Sequence, residues 1–200
     1  MASGAGAGVS DVLAGLTVPL LLVLLVVGVA VVVSYNRFVR QRTLVDQAWS
    51  GIDVELGRRH DLVPNLVETV RGYAAHEREV LEALTVAREE ARRHVGETPH
   101  EREAAEDRVG FALDRVMVRS ESYPDLRASA AFLQLQDALT MTEDRIAASR
   151  RFYNGNVRAL NTRCRTFPSN LVASAFGFAE RDYFELHDPR HRELPDLGLS

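Results

Sequence analysis

The stretch VDQAWSGIDVELGRRHDLVPNLVETVRGY, residues 45–73, decides the fold. One set of its positions follows an unbroken alternation of four- and three-residue steps, which is the periodicity of one helix face. We call this set of positions the seam. It is apolar except at Arg59, and its spacing continues across Pro64. Two helices joined by a turn would share the spacing only by chance, so we predict one long helix to about Ala74, bent at Pro64. The seam consists of Val45, Trp49, Ile52, Leu56, Arg59, Val63, Leu66, Val70 and Tyr73.

An uncharged apolar stretch, VLAGLTVPLLLVLLVVGVAVVV, occupies residues 12–33. As a helix it is about 33 Å long, enough to cross a hydrocarbon core of about 30 Å. The alternative, a cleaved signal peptide, would have basic residues before the run and a small-residue cleavage site after it, and the sequence has neither. The stretch is therefore predicted to be a retained transmembrane helix in a single-pass protein of the cell membrane.

Basic residues flank this span on one side only. Arg37, Arg40 and Arg42 follow it, and no Arg or Lys precedes it. Because positive charge stays on the cytoplasmic side of a membrane, residues 1–11 are predicted to be a short external N-terminus and residues 34–200 to be cytoplasmic. The single Cys164 is consistent with a reducing compartment.

Three more helices are predicted after the first. The second runs from about His76 to Val95, where Gly96 ends it, and the third reaches about Ser122, where Tyr123 precedes Pro124. The third begins with a capping-box pattern in which a Thr cap is followed by Pro at the first helical position and by Glu at the third. The pattern consists of Thr98, Pro99 and Glu101, and the inward positions of the two helices are Leu81, Leu84, Ala91, Val95, Ala105, Val109, Ala112, Leu113 and Val116.

The fourth helix, from about Arg127 to Thr166, carries a strict seven-residue repeat, which is typical of helix-on-helix packing. The repeat consists of Phe132, Leu139, Ile146, Tyr153, Leu160 and Phe167. Short connections favour antiparallel neighbours. The predicted fold is all-α: an N-terminal transmembrane helix, then an elongated antiparallel up-and-down four-helix bundle over residues 34–186, then a loose tail at 187–200. A coiled-coil rod is the alternative. Gly51, Gly57 and Gly155 indicate either a close approach of the two long helices or a weaker bundle.

Arginines and aromatic residues concentrate near the end of the fourth helix and beyond it. The antiparallel topology would bring this region close to the membrane, where basic groups attract anionic lipid headgroups. Residues 167–186 could close the bundle, lie on the membrane as an interfacial helix, or dock a partner. Ser169 or Asn170 could cap a short helix here, and Gly177 could end it. The predicted lipid- or partner-contacting residues are Arg37, Arg40, Arg42, Arg150, Arg151, Arg158, Arg163, Arg165, Phe167, Phe176 and Phe178.

Composition and motifs exclude several functions. A net charge of −4 does not indicate nucleic acid as a partner, although all 24 basic residues are Arg. The pairs His60–Asp61 and His76–Glu77 suggest a metal site or an acid–base couple. On a helix, however, adjacent side chains point about 100° apart, and Arg58, Asp61, Asn65 and Glu68 are predicted to form a solvated face. We therefore predict no catalytic residue, metal or cofactor.

Five segments, in this order, resemble the LemA family of bacterial membrane-anchored proteins. They are YNRFVRQRTLVDQAW, RRHDLVPNLVETVRGYAAHE, YPDLRASAAFLQLQ, TEDRIAASRRFYN and FPSNLVASAFGF, within residues 35–185. The resemblance implies an elongated antiparallel four-helix bundle and no enzymatic activity or cofactor. The role of the family is generally unassigned.

Three functions remain open from the sequence. The first is a non-enzymatic membrane-anchored scaffold that recruits an unknown protein partner or organises lipid at the cytoplasmic face. The second is a metal-dependent hydrolase that uses the region of His60 and His76, although the chain lacks the usual hydrolase motifs. The third is a signal coupler that flexes at Pro64. We expect the scaffold.

Overall fold

A computed structural model describes residues 5–94 and 98–186. Within them the chain forms six α-helices and no β-strand, which confirms the all-α class. Residues 1–4 of the predicted external segment and the predicted tail at 187–200 lie outside the described residues. The helices are α1 (Ala5–Tyr73), α2 (Arg78–Arg93), α3 (Pro99–Ser120), α4 (Pro124–Arg127), α5 (Ala130–Arg165) and α6 (Ser169–Phe176).

α1 is one continuous helix through Pro64, as the 4-3 spacing predicts. It is long and apolar enough to cross a membrane, and the most apolar part of it is not buried. The seam lies inward from Val45 to Val70, and the predicted solvated face is exposed. Tyr73, by contrast, is 49% exposed. The prediction fails there because α1 ends at Tyr73, and the next residue, Ala74, takes the buried position instead.

α2 and α3 begin and end within about two residues of the predicted bounds. Thr98 precedes α3, and its backbone N–H donates to Glu101 Oε2 at 3.0 Å, which confirms the capping box. This bond satisfies one of the backbone groups that have no partner within the first helical turn. All predicted inward positions among the described residues are buried. Val95 and Gly96 lie outside the described residues.

The predicted fourth helix corresponds to α5, which begins at Ala130, three residues later than predicted, and ends at Arg165. A single-turn helix that the sequence did not predict, α4, precedes it, and Ala128 and Ser129 separate the two. The break allows Leu126 to enter the core with none of its side chain exposed, while Ser129, a residue type favoured at helix starts, precedes α5. The heptad positions from Phe132 to Leu160 are buried, but Phe167 is 75% exposed because α5 ends at Arg165.

The described residues divide into two compact units, and α1 and α5 contribute to both. The first unit falls within residues 1–43 and 159–180, and the second within 44–158 and 181–200. The core of the second unit is one cluster of buried apolar side chains from α1, α2, α3, α4 and α5. Leu66, Leu84, Val109, Leu126 and Phe132, one from each helix, are at most 2% exposed. Burial of side chains of this size stabilises by about 1.5 to 3 kcal/mol each.

Two of the glycine and cap predictions need correction. A Cβ added at Gly51, Gly57 or Gly155 would meet nothing within 4 Å, so these glycines do not mark a close approach of helices. Neither Ser169 nor Asn170 caps α6, because they are its first two residues. The hydroxyl of Ser169 lies within hydrogen-bond distance of the carbonyls of Arg163 and Thr166, at 2.7 and 2.8 Å. Gly177 does end α6, in the left-handed region at φ 72°.

Opposite effects are expected from Ala at two of these glycines. Gly155→Ala should stabilise the second unit by about 0.5 to 1 kcal/mol, because Ala loses less backbone entropy in a helix and finds open space there.

Gly177→Ala should destabilise the first unit, because an L side chain is strained at positive φ. Denaturant unfolding of the full chain in detergent, followed by circular dichroism, measures both. A destabilising Gly155→Ala would contradict the open packing.

Candidate functional site

An aromatic cluster joins the segment after α5 to α1 in the first unit. The rings of Phe38 and Phe178 stack with centroids 4.8 Å apart. Tyr35 contacts Phe176 and Phe178 edge to face, at 5.1 and 5.6 Å. Phe38 is fully buried, whereas Phe176 is 53% exposed. The sequence pointed to Phe176 and Phe178 as contact residues, and the structure assigns Phe178 to internal packing while it leaves much of Phe176 accessible.

Beside this cluster lies an apolar groove of about 770 Å³, formed by α1, the end of α5 and α6. Its walls include Val27 and Val31 of α1 and Leu171 and Val172 of α6. Leu171 is 60% exposed, so the groove is open on one side. The sequence predicted a short helix after Pro168 but gave no indication of a groove, because the groove depends on how α6 packs on α1.

Two of the predicted arginines line this groove, namely Arg37 of α1 and Arg163 of α5. Arg37 is exposed. The guanidinium of Arg163 lies 5.9 Å from the centre of the Phe38 ring, within the range of a cation–π contact. Its Nε is buried and has no hydrogen-bond partner. The groove therefore combines apolar walls with two positive charges, one of which keeps an unsatisfied donor.

The other predicted arginines are distributed differently. Arg40 and Arg42 are exposed and do not line the groove. Arg165 donates from Nε to Glu180 Oε1 at 2.8 Å, and this hydrogen bond lowers the pKa of Glu180. In the second unit, Arg150, Arg151 and Arg158 line a shallow pocket of about 430 Å³. Arg150 also donates to the backbone carbonyl of Leu186.

The end of the described chain packs on the second unit. Phe184 is fully buried, and its ring meets Trp49 edge to face at 5.2 Å. Its backbone is held by Asn154, whose Nδ2 donates to the Phe184 carbonyl at 2.9 Å and whose Oδ1 accepts from the Phe184 N–H at 3.0 Å. The Tyr153 hydroxyl donates to the Asp182 carbonyl at 2.9 Å. Residues 182–186 therefore pack on the protein.

A buried charge cluster, which the sequence did not predict, lies in the second unit. Glu106 of α3 is 1% exposed and accepts from Arg59 Nη2 at 2.7 Å and from Arg102 Nη2 at 3.3 Å. His60 Nε2 lies 3.1 Å from Glu106 Oε2. Arg59 also donates to Glu143 of α5 at 3.1 Å. Helices α1, α3 and α5 are thus joined by one hydrogen-bonded set of charges.

The cluster keeps Glu106 ionised. Burial alone would raise the pKa of Glu106, but the hydrogen bond from His60 and the positive charge of Arg59 outweigh it and lower the pKa from 4.5 to about 2. Burial likewise opposes the charge on Arg59, yet the carboxylates of Glu143 and Glu106 raise its pKa. An ionised carboxylate only accepts hydrogen bonds, so Glu106 is the acceptor toward both Arg59 and Arg102.

One signal in the sequence could have revealed this cluster. Arg59 interrupts an otherwise apolar seam, and a fully buried Arg requires a carboxylate partner. Glu106 lies in a run of residues, 101–107, that contains several acids. The sequence could not show which of these acids faces Arg59.

The predicted His-containing pairs do not form one site. His60 is 3% exposed and is engaged by Glu106, whereas His76 is exposed after the end of α1. Within residues 5–94 and 98–186, no group of three or more His, Cys, Asp or Glu side chains is arranged to hold a metal ion. The described geometry therefore offers the hydrolase hypothesis no support from either pair.

Comparison with known proteins adds evidence of a family. A model of the LemA family matches residues 48–198. Protein LemA from Metamycoplasma hominis is 31% identical over 140 residues, which cover 69% of this chain and 63% of the relative. Magnetosome protein MamQ 2 from Paramagnetospirillum magneticum is 25% identical over 175 residues, covering 76% of this chain and 64% of the relative. Magnetosome protein MamQ from Magnetospirillum gryphiswaldense is 25% identical over 174 residues, which cover 75% of this chain and 64% of the relative. The chain spans less than two thirds of the length of these curated relatives.

Proposed function

The chain belongs to the LemA family, and from that premise we propose that it is a non-enzymatic scaffold anchored in the cell membrane by α1. One observation carries this proposal. Each residue from Leu20 to Val27 is apolar and between 52% and 66% exposed. Eight consecutive residues cover every side of a helix, so no face of the protein shields this stretch. A helix that is apolar and uncovered on all sides requires a lipid environment.

The proposed orientation has the N-terminus outside and residues 34–186 in the cytoplasm. It is supported by Arg37, Arg40 and Arg42, which are exposed directly after the apolar stretch. In this proposal residues 12–33 cross the membrane once.

For the second unit we propose the arrangement of an up-and-down four-helix bundle. The buried side chains of α1, α2, α3 and α5 belong to one core cluster, which supports it. The connections between these helices in the sequence are short, and short connections favour antiparallel neighbours.

The scaffold role is supported by apolar side chains on the outside of α3. Phe111 is 56% exposed and Val118 is 66% exposed. They are seven residues apart and therefore lie on the same side of the helix. Large exposed apolar side chains that share one helix face are suited to contact with a partner protein.

A photo-reactive residue at Phe111 tests this role in cells. We expect a discrete protein adduct from this position and none from Glu121, an exposed polar position at the end of the same helix. Mass spectrometry of the adduct identifies the partner. Absence of protein adducts at both Phe111 and Val118 would contradict the proposed recruiting surface.

The anchor is tested separately. The full chain should remain in the membrane pellet after alkaline extraction. In a Cys164→Ser background, a membrane-impermeant maleimide should label Ser3→Cys on intact cells and Glu121→Cys only after permeabilisation. Release by alkali would contradict the anchor, and labelling of Glu121→Cys on intact cells would reverse the orientation.

A further inference from the structure

The apolar groove of the first unit begins within the proposed membrane span. Val27 and Val31, which form one wall, belong to residues 12–33, and Arg37 lies four residues beyond the span's end. At 1.5 Å per residue, Val27 is about 9 Å deeper along α1 than Val33. If α1 spans the membrane as proposed, this part of the groove opens at the depth of the lipid tails.

A groove at that depth has few candidate occupants. Its walls at Val31, Leu171 and Val172 offer no hydrogen bonds from their side chains, so water has nothing to bind there. An acyl chain, by contrast, fills an apolar concavity without the loss of any hydrogen bond. The volume of about 770 Å³ falls within the range of about 300 to 1,000 Å³ that is usual for small-ligand sites.

The positive charges that line the groove indicate which class of lipid it would hold. Arg37 and Arg163 line the same groove, and none of its lining residues is acidic. Guanidinium groups bind phosphate with well-matched geometry, and two positive charges favour a lipid that carries net negative charge.

We propose that this groove binds one anionic glycerophospholipid, with an acyl chain along Val27, Val31 and Leu171 and the phosphate between Arg37 and Arg163. The inference rests on the proposed anchor, since it requires α1 to span the membrane. It makes the first unit a lipid-recognising site, whereas the two arginines that stand further along α1, Arg40 and Arg42, contribute only general attraction to the leaflet.

Photo-crosslinking with defined lipids tests the site. The full chain is reconstituted into vesicles of phosphatidylcholine and phosphatidylglycerol, with a photo-reactive acyl chain placed on one lipid or the other. Mass spectrometry then maps the adducts. Phosphatidylglycerol should label peptides that contain residues 27–34 and 169–172 at least about fivefold more than phosphatidylcholine does.

Two double variants separate the site from general attraction. Arg37→Gln/Arg163→Gln should abolish the preference for phosphatidylglycerol at the groove. Arg40→Gln/Arg42→Gln removes the same charge from residues outside the groove and should retain the preference. The proposal would be overturned if the two lipids labelled the wild-type groove equally. It would also be overturned if both double variants lost the preference for phosphatidylglycerol to the same extent. Ala30→Phe, which fills the groove without changing charge, should reduce adducts from both lipids there.

Failure of the lipid site and failure of the anchor give different results. If only the lipid site is wrong, residues 20–25 will still be labelled by both lipids, and no preference will be found at the groove. If the anchor is wrong, labelling of residues 20–25 will be lost as well.

Discussion

Glu106→Gln is expected to destabilise the second unit by about 3 kcal/mol at neutral pH, because it removes the carboxylate that the buried guanidinium groups of Arg59 and Arg102 share and leaves them only Glu143 and Asp53 as counter-charges. Arg59 and Arg102 are each 2% exposed and cannot turn to water. A Gln side chain would also place an amide N–H₂ against one of these two donors, because Arg59 and Arg102 donate to different oxygens of the carboxylate. Chemical denaturation of the full chain in detergent, followed by circular dichroism, measures the loss.

The dependence of the free energy of unfolding on pH shows whether the carboxylate of Glu106 causes this stabilisation. The pKa of Glu106 is lowered from 4.5 to about 2, so its contribution is complete above about pH 4.5 and decreases as the pH falls toward about 2. The size of that contribution is on the order of 3 kcal/mol. The wild type should lose this stability across that window, whereas Glu106→Gln should lack this part of the loss.

Glu121→Gln provides the control, because it removes an acid that is exposed at the end of the same helix. Its stability should stay close to that of the wild type. If Glu106→Gln were as stable as this control, the charge cluster would not be what joins α1, α3 and α5.

Phe38→Ala is expected to release the segment that follows α5 from α1 in the first unit. Phe38 is fully buried and stacks on Phe178 at 4.8 Å. Loss of a buried aromatic ring costs about 3 to 5 kcal/mol, and this ring also lies under the guanidinium of Arg163. Hydrogen exchange at the amides of residues 169–178 should become much faster in the variant.

Val39→Ala is the matched control, since it shortens the next side chain of α1, which is 41% exposed. Exchange in α6 should remain at the wild-type rate there. Phe38→Leu should give an intermediate rate, because Leu restores part of the buried volume without the stacking. Unchanged exchange in Phe38→Ala would mean that the aromatic cluster does not hold α6.

Part of the candidate site was predictable and part was not. Arg163, Phe176 and Phe178 were identified from local enrichment in arginine and aromatic residues, and Arg37 was identified from its place directly after the apolar stretch. Their separate roles were not, because enrichment does not tell which ring is buried and which cation faces a groove. Phe178 stacks inside the unit, while Arg165, a close neighbour of Arg163, is paired with Glu180.

The sequence by itself determined α1, α2, α3 and most of α5, because helical periodicity, capping residues and prolines act over a few neighbouring residues. The 4-3 seam predicted α1 through Pro64, and the Thr98–Glu101 pattern predicted the start of α3. Only the tertiary structure decided that Glu106 is the partner of Arg59 and that α6 and α1 enclose a groove. Those features depend on contacts between residues that are far apart in the chain, whose alignment is set by how whole helices pack.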